Sequence, residues 1–153
     1  MANVLYTAQA HVTGGRAEGH GRTSDGQLEV DLRLPAEMGG AADGTNPEEL
    51  FAVGYAACFE GALGTVARRA KEDTGEVAID SKVSLVTTEE RAFTVAVELD
   101  VTLGGIGDPA KAVELVAAAH KVCPYSNATR GNIDVALTAN GRDVEEASTP
   151  ATA

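Results

Sequence analysis

The sequence predicts an α+β fold, with antiparallel sheets and two central helices. Three observations carry this. Apolar and polar residues alternate with the period of half-buried strands in "LYTAQAHVTG" and "LEVDLRL". The period then changes to that of a helix across "NPEELFAVGYAACFEGALGTVARRAKED". Two further strand-like stretches come next, joined by a charged turn. The resulting order, β-β-β-α-β-β-α-β, has hairpins where a doubly wound sheet would alternate strictly between strand and helix.

Taken in order, the first two alternating stretches flank a short strand, with the glycine-rich "GGRAEGHG" and "SDG" as turns. In the helical stretch Leu50, Phe51, Val53, Cys58, Leu63 and Val66 suit a long, mostly buried helix. Its start is well signalled: Asn46 can cap, Pro47 fits the first helical position, and Glu49 completes a capping-box spacing. "AIDSKVSLVTTEE" and "AFTVAVELDVTL" then read as an antiparallel pair. "DPAKAVELVAAAHKV" is a second helix opened by Asp108 and Pro109, and "NIDVALTAN" a last strand. Residues 1–140 form one domain on this reading. Residues 141–153, "GRDVEEASTPATA", have too little apolar content to order themselves and read as a disordered tail.

With 153 residues, 44% of them hydrophobic, the chain can build one core. Its net charge of −11 and pI near 4.6 argue against nucleic acid or an anionic membrane surface as partner, since both would repel it at long range. "MANVLYTAQA" lacks a basic region followed by an apolar run, and no segment offers about 18 uninterrupted apolar residues. A soluble cytoplasmic protein is expected. In a reducing compartment structural disulfides are uncommon, so the two cysteines are either small buried hydrophobes or used for chemistry.

Cys123 precedes Pro124, a context biased away from the α conformation, so it should sit where the second helix stops. The macrodipole is negative there and disfavours a thiolate. Cys123 is therefore a poor first nucleophile, while an adjoining irregular loop would give it room to move, as suits a resolving thiol. Cys58 lies about three turns into the first helix, beyond the reach of its N-terminal dipole. A lowered pKa at Cys58 requires a cation from elsewhere. Arg16, in the tight "TGGRAEG" turn, is the candidate, and Glu48 could orient it through a bidentate contact. Ten residues of straight helix separate Glu48 from Cys58, about 15 Å along the axis. For one arginine to touch both, the helix must break near Gly54 or the two residues must come from different subunits; the second arrangement is favoured.

The stretches "LYTAQAHVTGGR", "GTNPEELFAVGYAACF" and "AAHKVCPYSNATRGNIDV" together resemble the organic hydroperoxide resistance branch of the OsmC/Ohr family, over about Leu5 to Thr138. The resemblance implies an intertwined homodimer with its active sites at the subunit interface. It also implies a thiol peroxidase that reduces alkyl and fatty-acid hydroperoxides, binds no cofactor, and is recycled by dihydrolipoamide on lipoylated proteins. In that likeness Cys58 matches the peroxidatic cysteine and Cys123 the resolving cysteine, the two joining in a disulfide. Arg16 and Glu48 match the polar pair that activates the thiolate. Met38, Leu50, Phe51 and Phe59 are candidates for an apolar mouth selecting organic peroxides.

Other readings of the same residues stand beside this one. Glu48 also suits a first-turn acid complementing the helix dipole, and Arg16 a solvated turn residue. "SNATRG" reads as a polar turn whose Asn127 and Arg130 organise the loop around Cys123 without entering the chemistry. His120 and Cys123 have a metal-like i, i+3 spacing with Cys58 as a candidate third ligand, but a fourth ligand is not apparent and no metal is expected. "GGAADGTN" lacks the lysine of a phosphate loop. An OsmC-type peroxidase and a non-catalytic redox-sensing or binding domain of the same fold are the functional alternatives.

Overall fold

A computed structural model describes residues 2–145. The chain divides into two compact units, Met1–Leu50 and Phe51–Ala153. The first holds a three-stranded antiparallel sheet in sequence order: β1 (Ala10–Thr13), β2 (Glu18–Thr23) and β3 (Glu29–Arg33). The β1–β2 turn needs glycine for conformation and for space. Gly14 and Gly15 have φ of 76° and 65°, and a Cβ on Gly19 would lie 1.9 Å from the Gly15 carbonyl oxygen. β2 begins at Glu18, inside the stretch expected to be turn. The alternation of "LYTAQ", by contrast, yields no strand before Ala10: the ladder ends where Ala10 faces Thr23, with one more bond from the Ser24 N–H to the Gln9 carbonyl at 2.9 Å. Leu5 is consequently 97% exposed. After β3, a 3-10 turn at Ala36–Met38 leads to Thr45, which bridges back to Leu32.

The long helix α1 (Pro47–Ala70) starts as expected: the Asn46 side chain accepts the Glu49 N–H at 2.9 Å. The capping box is altered, since the Glu49 carboxylate accepts from the Thr45 hydroxyl at 2.7 Å. The second unit continues with β4 (Val77–Thr87), β5 (Phe93–Leu103), α2 (Pro109–Val122), α3 (Pro124–Thr129), β6 (Val135–Ala139) and β7 (Arg142–Asp143). β4 and β5 pair antiparallel over their full length. β6 lies parallel to β5, Val97 opposite Val135, so this sheet is mixed where antiparallel pairing was expected throughout. The α2–α3 segment explains it, being long enough to carry the chain back across the sheet for a parallel return. Asp108 caps α2 by accepting the Ala110 N–H at 3.0 Å.

Along β5, Val97, Leu99, Val101 and Leu103 point into the core while Glu98, Asp100 and Thr102 face outward, the period-two pattern of a half-buried strand. Tyr55, Phe59, Leu63 and Val66 of α1 belong to the same core, with Leu115, Val116 and Ala119 of α2. Each fully buried large apolar side chain contributes about 1.5–3 kcal/mol. Among the described residues α1 alone is long and apolar enough to cross a membrane. Its Tyr55, Phe59, Leu63 and Val66 side chains are buried in this core, while Glu60 midway along it is exposed. The ordered chain also runs past the boundary set at Gly141: β7 pairs with β6, and Val144 is buried. The remainder of the expected tail, 146–153, lies outside the described residues.

Candidate active site

Cys58 projects from α1, and Cys123 stands at the junction that closes α2 and opens α3. Both are free thiols, with their sulfurs 3.7 Å apart. Cys123 is 0% exposed, whereas Cys58 is partly accessible. The helix stop at Cys123 arises as the sequence predicts: Pro124 cannot continue α2, and Cys123 takes an extended ψ of 124°.

The segment after Cys123 differs from the expected irregular loop. Pro124 is well suited to the first position of a new helix, and "PYSNAT" forms α3. Cys123 is thereby anchored on both sides: its N–H donates to the Ala119 carbonyl and its carbonyl accepts the Asn127 N–H, each at 2.9 Å. The irregular loop expected beside it is replaced by a helix. Arg130 donates to the His120 carbonyl and, at 2.9 Å, to the Asn127 side chain, so these two residues do organise the turn around Cys123. Among the described residues no three His, Cys, Asp or Glu side chains converge as a metal site requires.

Burial pushes the Cys58 thiol above its ordinary pKa. A hydrogen bond from the Tyr125 backbone N–H opposes this, and the neighbouring Cys123 adds to it. None of these influences is a cation.

The other two predicted site residues meet in the first unit. Arg16 grips Glu48 in a bidentate contact, Nη1 to Oε2 at 3.2 Å and Nη2 to Oε1 at 2.9 Å. The donated hydrogen bonds hold the Glu48 carboxyl below its ordinary range and raise the Arg16 guanidinium further. Glu48 also lies in the first turn of α1, so the dipole reading and the ion-pair reading are both satisfied. α1 runs without a break at Gly54, which removes one of the two routes by which a single arginine could reach both Glu48 and Cys58. Gly54 serves packing instead: a Cβ there would stand 3.1 Å from the Tyr125 hydroxyl.

Of the proposed mouth residues, Phe59 is fully buried in the core and lines no opening. Phe51 is half-buried, its ring 5.8 Å from those of Tyr55 and Tyr125, with Tyr55 and Tyr125 5.6 Å apart. Met38 and Leu50 are partly exposed in the first unit. Sequence reasoning missed Tyr55, whose buried hydroxyl lies 3.0 Å from both Ser126 Oγ and Thr129 Oγ1. The available signal was the i, i+4, i+8 aromatic series Phe51, Tyr55, Phe59 facing a short segment with hydroxyls spaced i, i+3.

The profile of the OsmC-like protein family matches residues 39–138, a span that contains Glu48, Cys58 and Cys123. An organic hydroperoxide resistance protein of Xanthomonas axonopodis pv. citri is 55% identical over 137 residues, covering 88% of this chain and 94% of the relative. The chain belongs to the OsmC/Ohr family, in its organic hydroperoxide resistance branch. Solved structures of OsmC/Ohr proteins agree in fold. The organic hydroperoxide resistance protein of Legionella pneumophila superposes with a TM-score of 0.84 at 49% identity, over 89% of this chain and 98% of that one. OhrB of Bacillus subtilis does so with 0.79 at 47%, over 88% and 98%. The α+β architecture expected of an OsmC/Ohr protein is thus the one observed.

Proposed function

We propose that the chain is a two-cysteine peroxidase that reduces organic hydroperoxides in the cytoplasm. The observation carrying this reading is the pair of free sulfurs 3.7 Å apart, one partly accessible and the other fully buried. The relatives' names, organic hydroperoxide resistance protein, supply the substrate class.

In the first step the Cys58 thiolate attacks a peroxide oxygen, the O–O bond breaks, and the alkoxide leaves as an alcohol after taking a proton, giving a Cys58 sulfenic acid. Cys123 then attacks the Cys58 sulfur, the S–O bond breaks, and water leaves with the Cys123 proton as the disulfide forms. A dithiol such as dihydrolipoamide, free or on a lipoylated protein, reopens the bond by exchange. The unequal burial of the two sulfurs directs that attack to Cys58 and makes Cys123 the leaving thiol. Arg16, oriented by Glu48, supplies the positive charge that burial at Cys58 demands. A homodimer in which Arg16 and Glu48 of one subunit serve Cys58 of the other accommodates the unbroken α1. The 72% exposure of Val53 on this apolar helix supports a second copy covering it.

Peroxide consumption with dihydrolipoamide as donor tests the reading. Cys58→Ser should abolish turnover, while Cys123→Ser should allow one oxidation and then stall. Turnover by Cys58→Ser at the wild-type rate would end the assignment. Peroxide-dependent disulfide formation without turnover would instead indicate a redox sensor of the same fold, and equal rates with hydrogen peroxide and bulky organic peroxides an OsmC-type peroxidase.

A further inference from the structure

We propose that Tyr55 is a positioning residue for the second chemical step: its buried hydroxyl, bound to Ser126 and Thr129, holds α3 and Cys123 against α1 so that the Cys58 sulfenic acid closes into a disulfide before further oxidation. The inference rests on the two-cysteine reading.

Its basis is a repeated spacing. Tyr55 precedes Cys58 by three residues on α1, and Ser126 follows Cys123 by three on the other side. Tyr55 meets Ser126 at 3.0 Å just as Cys58 meets Cys123 at 3.7 Å. The two contacts are therefore rungs between the same segments, one helical turn apart. Thr129 completes the hydroxyl rung at 3.0 Å from Tyr55 and donates to the Ser126 carbonyl at 3.4 Å.

All three hydroxyls are buried, where an unpaired polar group is costly, so their mutual pairing selects one seating of α3. α3 needs such a restraint, because a six-residue helix has little stability of its own. Burial raises the Tyr55 phenol above its ordinary pKa, leaving it a neutral donor. Having no exposed surface, Tyr55 is not placed to meet peroxide.

The second step is the one sensitive to this seating. The sulfurs start 3.7 Å apart and must close to about 2.0 Å as water leaves. Closure competes with a second peroxide, which would take the sulfenic acid to sulfinic acid and release another alcohol. A misplacement of about 1 Å can cost on the order of 100-fold in such an intramolecular step.

The test separates the two oxidations in Tyr55→Phe. Single-turnover mixing with one equivalent of tert-butyl hydroperoxide, read by mass, gives loss of thiol and gain of disulfide as separate rates. Thiol loss should stay within about 2-fold of wild type while disulfide gain slows by about 10-fold or more. Dimedone-trapped sulfenic acid, and sulfinic acid under excess peroxide, should accumulate at Cys58. Ser126→Ala, which deletes a single atom, should shift the same ratio in the same direction and decides the matter if Tyr55→Phe fails to fold by circular dichroism. Unchanged disulfide gain in the folded variants would overturn the inference alone. Failure of the wild-type protein to form the disulfide would overturn the two-cysteine reading beneath it.

Discussion

Replacing Arg16 and Glu48 together by glutamine should convert the peroxide reaction from one that runs at neutral pH to one that needs alkali. Within its own unit Cys58 feels burial and a neighbouring sulfur, which together hold its thiol above the ordinary value. A thiol at its ordinary value of about 8.5 is about 3% ionised at pH 7, so Cys58 without a cation would be ionised to less than that. A guanidinium in contact brings reactive thiols to about 7.5 or lower, which is about 24% ionised or more. Losing it should therefore cut the thiolate fraction at pH 7 by at least about 8-fold and slow the bimolecular reaction, by less than that factor to the extent that the more basic thiolate is the better nucleophile. Changing both residues avoids leaving the Glu48 carboxylate unpaired, which would add repulsion of its own. The assay is the stopped-flow rate of thiol loss with an organic hydroperoxide from pH 5 to 10. The deficit should shrink as the pH climbs and the thiol ionises unaided, whereas damage to the fold would not be rescued by alkali. Parallel pH profiles for the wild-type and double variant would refute the assignment of Arg16 to Cys58.

Gly19→Ala places a Cβ against the Gly15 carbonyl and should cost about 1–3 kcal/mol in urea unfolding, whereas Gly21→Ala, whose Cβ would find Val12 at an ordinary 3.4 Å, should cost far less. Equal losses would show that the Arg16 turn is not so tightly packed. Leu63→Ala, at a fully buried position of α1, should cost about 2–5 kcal/mol; a loss under about 1 kcal/mol would mean that α1 does not fill this core. His20 lies 2.9 Å from Asp31 and 3.1 Å from Glu29, contacts that raise its pKa. Being raised, it contributes stability that is fully present below its unfolded value and fades as pH climbs through the folded one. Proton NMR should find its midpoint above about 6.5, and Asp31→Asn should bring it down; a midpoint unchanged by that substitution would contradict the pairing.

The elements most legible in the sequence were those fixed by local chemistry. Asn46 with Pro47, and Asp108 with Pro109, mark two helix starts because capping and proline geometry act within a few residues. The β4–β5 hairpin was equally readable from its alternation. Less legible were features decided across the chain. "PYSNAT" carries turn-forming residues, yet forms α3, with Ser126 and Thr129 hydrogen-bonded to Tyr55 more than seventy residues earlier. "LYTAQ" has the pattern of a strand, but pairing depends on how far β2 extends. The parallel seating of β6 likewise depends on the path of α2 and α3. For the site, residue types and spacing indicated Arg16, Glu48 and both cysteines as candidates. Gly54 reads as a hinge because a glycine that makes room for a ring and one that lets a helix bend look alike in sequence.

The two adjacent sulfurs are also 65 residues apart along the chain. A covalent link between them would close a loop of that length and strip conformational freedom from the denatured chain, a difference of about 4 kcal/mol in favour of the folded form. Heat resistance would then track exposure to oxidant: a molecule that has just met peroxide would outlast a resting one, and its reductant would have to dismantle a staple as well as a bond.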